Sequence, residues 1–397
     1  MAASHTPAQK VVKILHKNEN QFQDAQTSRL TPPDTPTSVL DGPLDADQPS
    51  TPCQTKDAPR SNSRSSRTLE FSYDLEVAKD GNSGRLLEFG RGVWSVVYKA
   101  TTRWMSDVSV LTPPPSPVAS GRILAVKVPL RHDAGPVLAA EAQVLSRVAA
   151  TASADEYIVP FYGFITASSS IVMSAIPLAL STHIEECALR AKENFSTRTM
   201  LDPVMSMPCW ITLAGQLIKG LDWLHAEAGV VHGDIKPHNI LLRRRRIDGD
   251  GNSAEFQFEA LYADFSSAHG ISLEESSHLG EVALSALTPP FAAPELMTVA
   301  AMKAPGLSTP ASDVFSLALT LLAAATGDLL LYPGTSSMQR LAMSREGYRV
   351  LDFVRSGHHG TRVPRRGLVE RTIAPAVVKT PSERVKTSRW LDILSSA

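Results

Sequence analysis

Three polar side chains crowd into one short stretch. Asp234, Lys236 and Asn239 stand within six positions of GVVHGDIKPHNILL, Gly229 to Leu242, with apolar runs on both sides. A carboxylate at a loop tip can accept or orient a proton, an ammonium two residues on can neutralise charge, and an amide oxygen can serve a cation. A second pattern lies far upstream. Gly90, Gly92 and Ser95 form a G-x-G-x-x-S turn, whose two residues without side chains let backbone N–H groups approach phosphate oxygens. Alone it is a weak signal, because glycine-rich hairpin turns are common. A dinucleotide-binding turn would open a helix, whereas the flanks LLEF and VVYKA are both strand-like, so the pattern reads as a hairpin folded over a nucleotide.

The elements that must carry these residues fall into two kinds. From Leu86, LLEFGRGVWSVVYKA alternates and is rich in Val, Trp and Tyr, and ILAVKVPL follows a proline-rich interruption, VLTPPPSPVASG, that reads as a loop insertion between strands. Ala139 to Val148 reads as a helix, and YIVPFYGFI and SIVMSAI as two further strands. Beyond Pro177 the pattern turns helical: Ala214, Leu217, Ile218, Leu221 and Leu224 line one face of a helix. Strands first and helices second argue for an α+β chain of two lobes, jointed near Ser174 to Pro177, with a ligand in the cleft between them.

Residues 1–80 are dominated by Ser, Thr, Pro, Asp and Gln and are expected to be a disordered tail. Thr-Pro pairs at Thr6, Thr31, Thr35 and Thr51 suit proline-directed phosphorylation, though a tail of this composition yields such pairs unaided. A net charge of -1 gives no electrostatic case for nucleic acid or an anionic membrane as the main partner. Cys53, Cys187 and Cys209 lie too far apart for a disulfide framework or a zinc set, which favours a reducing compartment. MAASHTPAQK lacks the apolar core of a signal peptide, and Val314 to Ala325 is too short to span a bilayer and reads as a buried helix. The chain is therefore expected in the cytoplasm, the nucleus or both.

Further groups stand in one order along the chain: Ala125-Val126-Lys127, Glu141, the stretch His232 to Asn239, Asp264-Phe265-Ser266 and Ala293-Pro294-Glu295. Taken with the glycine-rich turn, this set resembles the eukaryotic protein kinase family, serine/threonine type, from about Leu86 onward. The resemblance implies a bilobal kinase fold over 84–397, with a strand-rich N-lobe at 84–173, a hinge at 174–177 and a helical C-lobe at 178–397. It implies ATP and Mg²⁺ and protein substrates; a regulatory partner acting through the N-terminal tail is a further expectation. ATP contacts are expected at Gly90, Arg91, Gly92, Val93, Ser95, Val97, Ala125, Lys127, Met173, Ser174 and Ala175.

Phosphoryl transfer asks a protein mainly for positioning and charge stabilisation. Lys127 would hold the α- and β-phosphates and Glu141 would fix its direction. Asp234 would orient the attacking hydroxyl and Lys236 would neutralise the moving phosphoryl group, while Asn239 and Asp264 would hold Mg²⁺. By the same resemblance His232 braces the loop, Glu295 pairs with Arg384, Asp313 anchors the loop backbone, and Thr288 contacts Asp234 and Lys236. Lys236 marks the serine/threonine form of the loop.

Two positions depart from the family. Gly233 replaces the arginine that pairs with a phosphorylated activation segment, so ordering through that contact is not expected. Ser266 replaces a glycine and restricts the backbone beside Asp264. LYPGTSSMQRL is similar to a stretch in cyclin-dependent kinases, yet Ala292 replaces the arginine they place before Ala-Pro-Glu. Arg243 to Arg246 reads as a solvated hairpin, with nuclear import or acidic substrate as alternatives. The rival to an active enzyme is a pseudokinase, a nucleotide-binding scaffold without transfer. Lys127, Asp234, Asn239 and Asp264 are all in place, which argues against it.

Overall fold

The computed structural model describes residues 67–81, 83–102, 123–245, 257–271, 288–298, 308–334 and 336–396. The proline-rich insertion, Arg246 and the four Thr-Pro pairs of the tail lie outside the described residues. The first lobe is an antiparallel sheet of six strands: β1 Leu75–Val77, β2 Glu88–Arg91, β3 Ser95–Thr102, β4 Ile123–Pro129, β5 Phe161–Ile165 and β6 Ser170–Ser174. The spatial order is β1-β3-β4-β6-β5. β1 and β2 share one edge of β3, the first against Ala100 to Thr102 and the second against Val96 to Tyr98. Val96, Ala100, Leu124, Val126, Val128 and Val172 supply the apolar face that buries the sheet. Helix α1, Gly135–Ala149, packs beneath it and turns Leu138, Ala142 and Leu145 inward.

The expected tail ends earlier than residue 80. Phe71 N–H donates to Phe164 O at 3.0 Å, Phe164 N–H donates to Leu69 O at 2.8 Å, and Leu75 is buried in the sheet core. Gly163, at φ +141°, lets this segment cross the sheet edge, since an added Cβ would stand 2.8 Å from Phe71 N. The alternation Leu69, Phe71, Tyr73, Leu75, Val77 is the sequence signal of this added edge.

The second lobe is helical. α2 is Leu180–Glu193, α3 Met207–Ala226 and α4 Pro310–Thr326. Ala214, Leu217, Ile218, Leu221 and Leu224 of α3 are fully buried, as their spacing predicts. α4 starts at a reciprocal Thr309–Ser312 capping box and stops at Gly327, φ +80°. Its apolar circumference makes it the centre of the lobe rather than a surface helix. Between α3 and α4, short strands frame the loops: β7 Val230–Val231, β8 Ile240–Arg244, β9 Phe258–Tyr262 and β10 His269–Gly270. β8 pairs with β9 and β7 with β10, so the 232–239 and 263–268 loops emerge side by side. Arg243, expected on a hairpin, sits there and pairs with Glu259 at 2.6 Å. Among the described residues no helix is long and apolar enough to cross a membrane.

Candidate active site

The sheet register gathers residues distant in sequence. Gly90 lies opposite Val97, Val97 opposite Lys127, and Ala125 opposite Met173. Antiparallel partners share a face, so Val97, Ala125, Lys127 and Met173 line one surface, with Ser174 and Ala175 following at its lower edge. Ser95 is buried, whereas Gly90, Arg91, Gly92 and Val93 stay exposed. Arg91 gives its guanidinium to Glu88 on the outside of the hairpin. Trp94 was not foreseen as part of the site. It lies under the Arg131 guanidinium at 4.5 Å and accepts Leu130 N–H through its carbonyl at 2.8 Å, fastening the turn to the end of β4.

Beneath this surface Lys127 donates to both Glu141 oxygens at 2.8 and 2.7 Å and to Asp264 Oδ1 at 2.7 Å. Glu141 Oε1 also accepts Phe265 N–H at 3.2 Å. Strand, helix and loop thus meet at one ammonium. Burial alone would lower the Lys127 pKa, but Asp264 and Glu141 outweigh it and keep the ammonium charged. Burial would raise the Asp264 carboxyl, yet Lys127 outweighs that too and holds it well below the usual carboxylate range. A buried charge without such a partner would cost several kcal/mol.

The second cluster is the loop between β7 and β8. Asp234 Oδ2 accepts Lys236 Nζ at 2.6 Å and Asn239 Nδ2 at 3.0 Å, and Oδ1 accepts Thr288 Oγ1 at 3.1 Å. Lys236 Nζ reaches Thr288 Oγ1 as well, at 2.9 Å. Burial pushes the Asp234 carboxyl up against the opposing pull of Lys236. Asp313, at the head of α4, accepts His232 N–H at 2.8 Å and Gly233 N–H at 2.9 Å, and meets His225 Nε2 at 3.0 Å. His225 is a brace that the motif order did not single out. His232 Nε2 faces Ala263 O at 3.1 Å while Nδ1 accepts Asp234 N–H at 3.3 Å, which fixes the tautomer with its proton on Nε2. Arg384 pairs with Glu295 through two bonds of 2.7 Å, stacked over Phe315.

The donor set suits a nucleotide and a hard cation. At Gly90 nothing lies within 4 Å of an added Cβ, so the hairpin leaves room beside the strand surface. Asn239 uses Nδ2 on Asp234, leaving Oδ1 for a cation beside anionic Asp264. Among the described residues no group of three His, Cys, Asp or Glu could hold a metal ion by itself. Two oxygen ligands completed by phosphate and water are how Mg²⁺ is ordinarily bound.

Residues 116–369 match the family model described as protein kinase domain, and the chain belongs to that family. The match begins after the glycine-rich hairpin. A serine/threonine-protein kinase of Saccharomyces cerevisiae, ISR1, is 28% identical over 171 residues, 42% of this chain and 36% of that protein. Its Eremothecium gossypii namesake is 28% identical over 221 residues, 51% of this chain and 52% of that one. Human SRSF protein kinase 3 is 45% identical over 38 residues, 10% of this chain and 7% of its own length. The chain thus spans about a third to a half of the two ISR1 proteins.

Proposed function

We propose that the chain is a Mg²⁺-dependent protein serine/threonine kinase that transfers the γ-phosphate of ATP to Ser/Thr hydroxyls of protein substrates, in regulatory signalling. The observation that carries this is the simultaneous assembly of Lys127–Glu141–Asp264 and Asp234–Lys236–Thr288 in one site. The substrate oxygen attacks the γ-phosphorus, the bond to the β-phosphate oxygen breaks, and ADP leaves. Asp234 orients the hydroxyl and receives its proton. Lys236 follows the charge on the transferred group, and Lys127 holds the α- and β-phosphates. Mg²⁺, held by Asp264 and Asn239, would supply charge neutralisation on the phosphates. The names of the yeast relatives support the hydroxyl class.

Cytoplasmic or nuclear placement, and a partner acting through the N-terminal tail, belong to the same proposal; the sparse cysteines support the first. Incubation of the purified chain with Mg-ATP and a peptide array tests the reading. Phosphate on serine or threonine peptides, absent with Asp234→Asn, is the expected result. Nucleotide binding without transfer would establish the scaffold reading instead.

A further inference from the structure

Helix α1 is gripped from two sides. On one, Glu141 accepts Lys127 Nζ and Phe265 N–H. On another, about 140° around the helix from Glu141, the Ser146 hydroxyl accepts Leu69 N–H at 2.9 Å while donating to Ala142 O at 2.7 Å. The segment that supplies Leu69 is a strap over the first lobe. Glu70 bridges Phe164 of β5 in parallel, with Leu69 O and Phe71 N–H bonded to Phe164 on either side of it. The chain then crosses to the far edge of the sheet, where Leu75 and Val77 lie opposite Thr102 and Ala100 of β3. Leu75 is buried with Val96, Val126 and Val172, and Phe71 packs on the same cluster. By the alternation of the strands that is the face turned away from Val97 and Lys127. The strap therefore lies on the outer face of the sheet and begins at the helix that carries Glu141.

We propose that Ser146 is a positioning residue: through it the strap of residues 69–77 holds α1 in the orientation that brings Glu141 to Lys127. This role deepens the kinase reading and takes from it only the task of Glu141. A helix tied at Glu141 alone can swing about that contact, whereas a second tie, further along the helix and on another side of it, removes that freedom before nucleotide arrives. When the competent orientation is held in advance, ligand affinity is not reduced by the fraction of molecules out of position.

Hydrogen exchange in the nucleotide-free full chain reads the positioning without any transfer of phosphate. The reporter is Phe265 N–H, which bonds Glu141 Oε1. Ser146→Ala should speed its exchange about threefold, the low end for one hydrogen bond, because Leu69 is half-exposed. Ser146→Thr keeps the hydroxyl and should exchange as the natural chain does. Gly163→Ala unseats the strap from the strand side, since its methyl would stand 2.8 Å from Phe71 N and 2.9 Å from the Glu70 carbonyl carbon. Loss of the two Phe164 bonds as well should bring the acceleration to about tenfold. In that background Ser146→Ala should add nothing further, because both changes release the same tie. Trp210 N–H, in the core of the second lobe, should keep its rate throughout. Unchanged Phe265 exchange in Ser146→Ala, a Ser146→Thr variant as fast as Ser146→Ala, or an equal acceleration at Trp210 overturns the proposal. A Ser146→Ala effect that persists undiminished after Gly163→Ala does so too. Where Gly163→Ala fails to fold, the two Ser146 variants decide alone. If the natural chain transfers no phosphate, the kinase reading fails, and the exchange ratios still decide the role of Ser146.

Discussion

The roof and the floor of the cleft are built on opposite terms. On the floor, the reactive charges are held by protein partners: Lys127 by two carboxylates, and Asp234 by Lys236, Asn239 and Thr288. On the roof, Gly90 to Val93 are exposed, and an added Cβ at Gly90 would meet open space. The difference follows from solvation. Buried charges must be neutralised within the fold, whereas an exposed glycine turn leaves open space that phosphate oxygens can fill. The floor is therefore assembled before ligands arrive, and the roof is completed by them.

The largest expected effect comes from breaking the floor. Asp264→Asn and Lys127→Met should each lower the transfer rate about a thousandfold or more, with circular dichroism unchanged. An unfolded Lys127→Met variant would make that lysine structural. Arg384→Met leaves Glu295 facing the core edge without its partner. It should cost about 3 kcal/mol in urea unfolding, the low end for a broken buried pair, because the Glu295 side chain keeps 29% exposure. A loss below about 1 kcal/mol would class the pair with surface bridges.

The edge of the sheet offers a milder contrast. A chain lacking residues 1–66 should melt where the full chain does, whereas removal of 1–80 strips β1 and exposes the pocket of Leu75. That second truncation should cost about 2 kcal/mol of apolar burial and several degrees in Tm. Equal melting of the two truncations would show the added edge to be dispensable. Smallest is Gly90→Ala on the roof. Its methyl meets no protein atom but takes up phosphate space, so KM for ATP should rise about tenfold with Tm unchanged. A KM unmoved by that methyl would detach the hairpin from the nucleotide.

The charged floor was legible through the resemblance to the kinase family, whose motif order Lys127, Glu141, Asp234, Asn239 and Asp264 follow, and the structure brings these side chains together. The Thr288 and Asp313 contacts were legible on the same ground. Two things were not. β1 was hidden because its alternation sits next to a polar tail and is short. The fit of Gly233 to Ser267 joins two loops through backbone shape alone, and only the paired strands β7 and β10 bring them together.

The central claim is that the charged floor stands without an activation-segment phosphate. Gly233 offers no guanidinium to such a phosphate, and Thr288 already bridges Asp234 and Lys236 through its own hydroxyl. Ser272, Ser276, Ser277 and Ser285 lie outside the described residues. Initial rates of phosphate transfer, compared between untreated protein and protein dephosphorylated to a single intact mass, test the claim directly. The rates should agree within about tenfold, a barrier difference of roughly 1.4 kcal/mol. A fall of several orders of magnitude, reversed by rephosphorylating one residue of that segment, would contradict it.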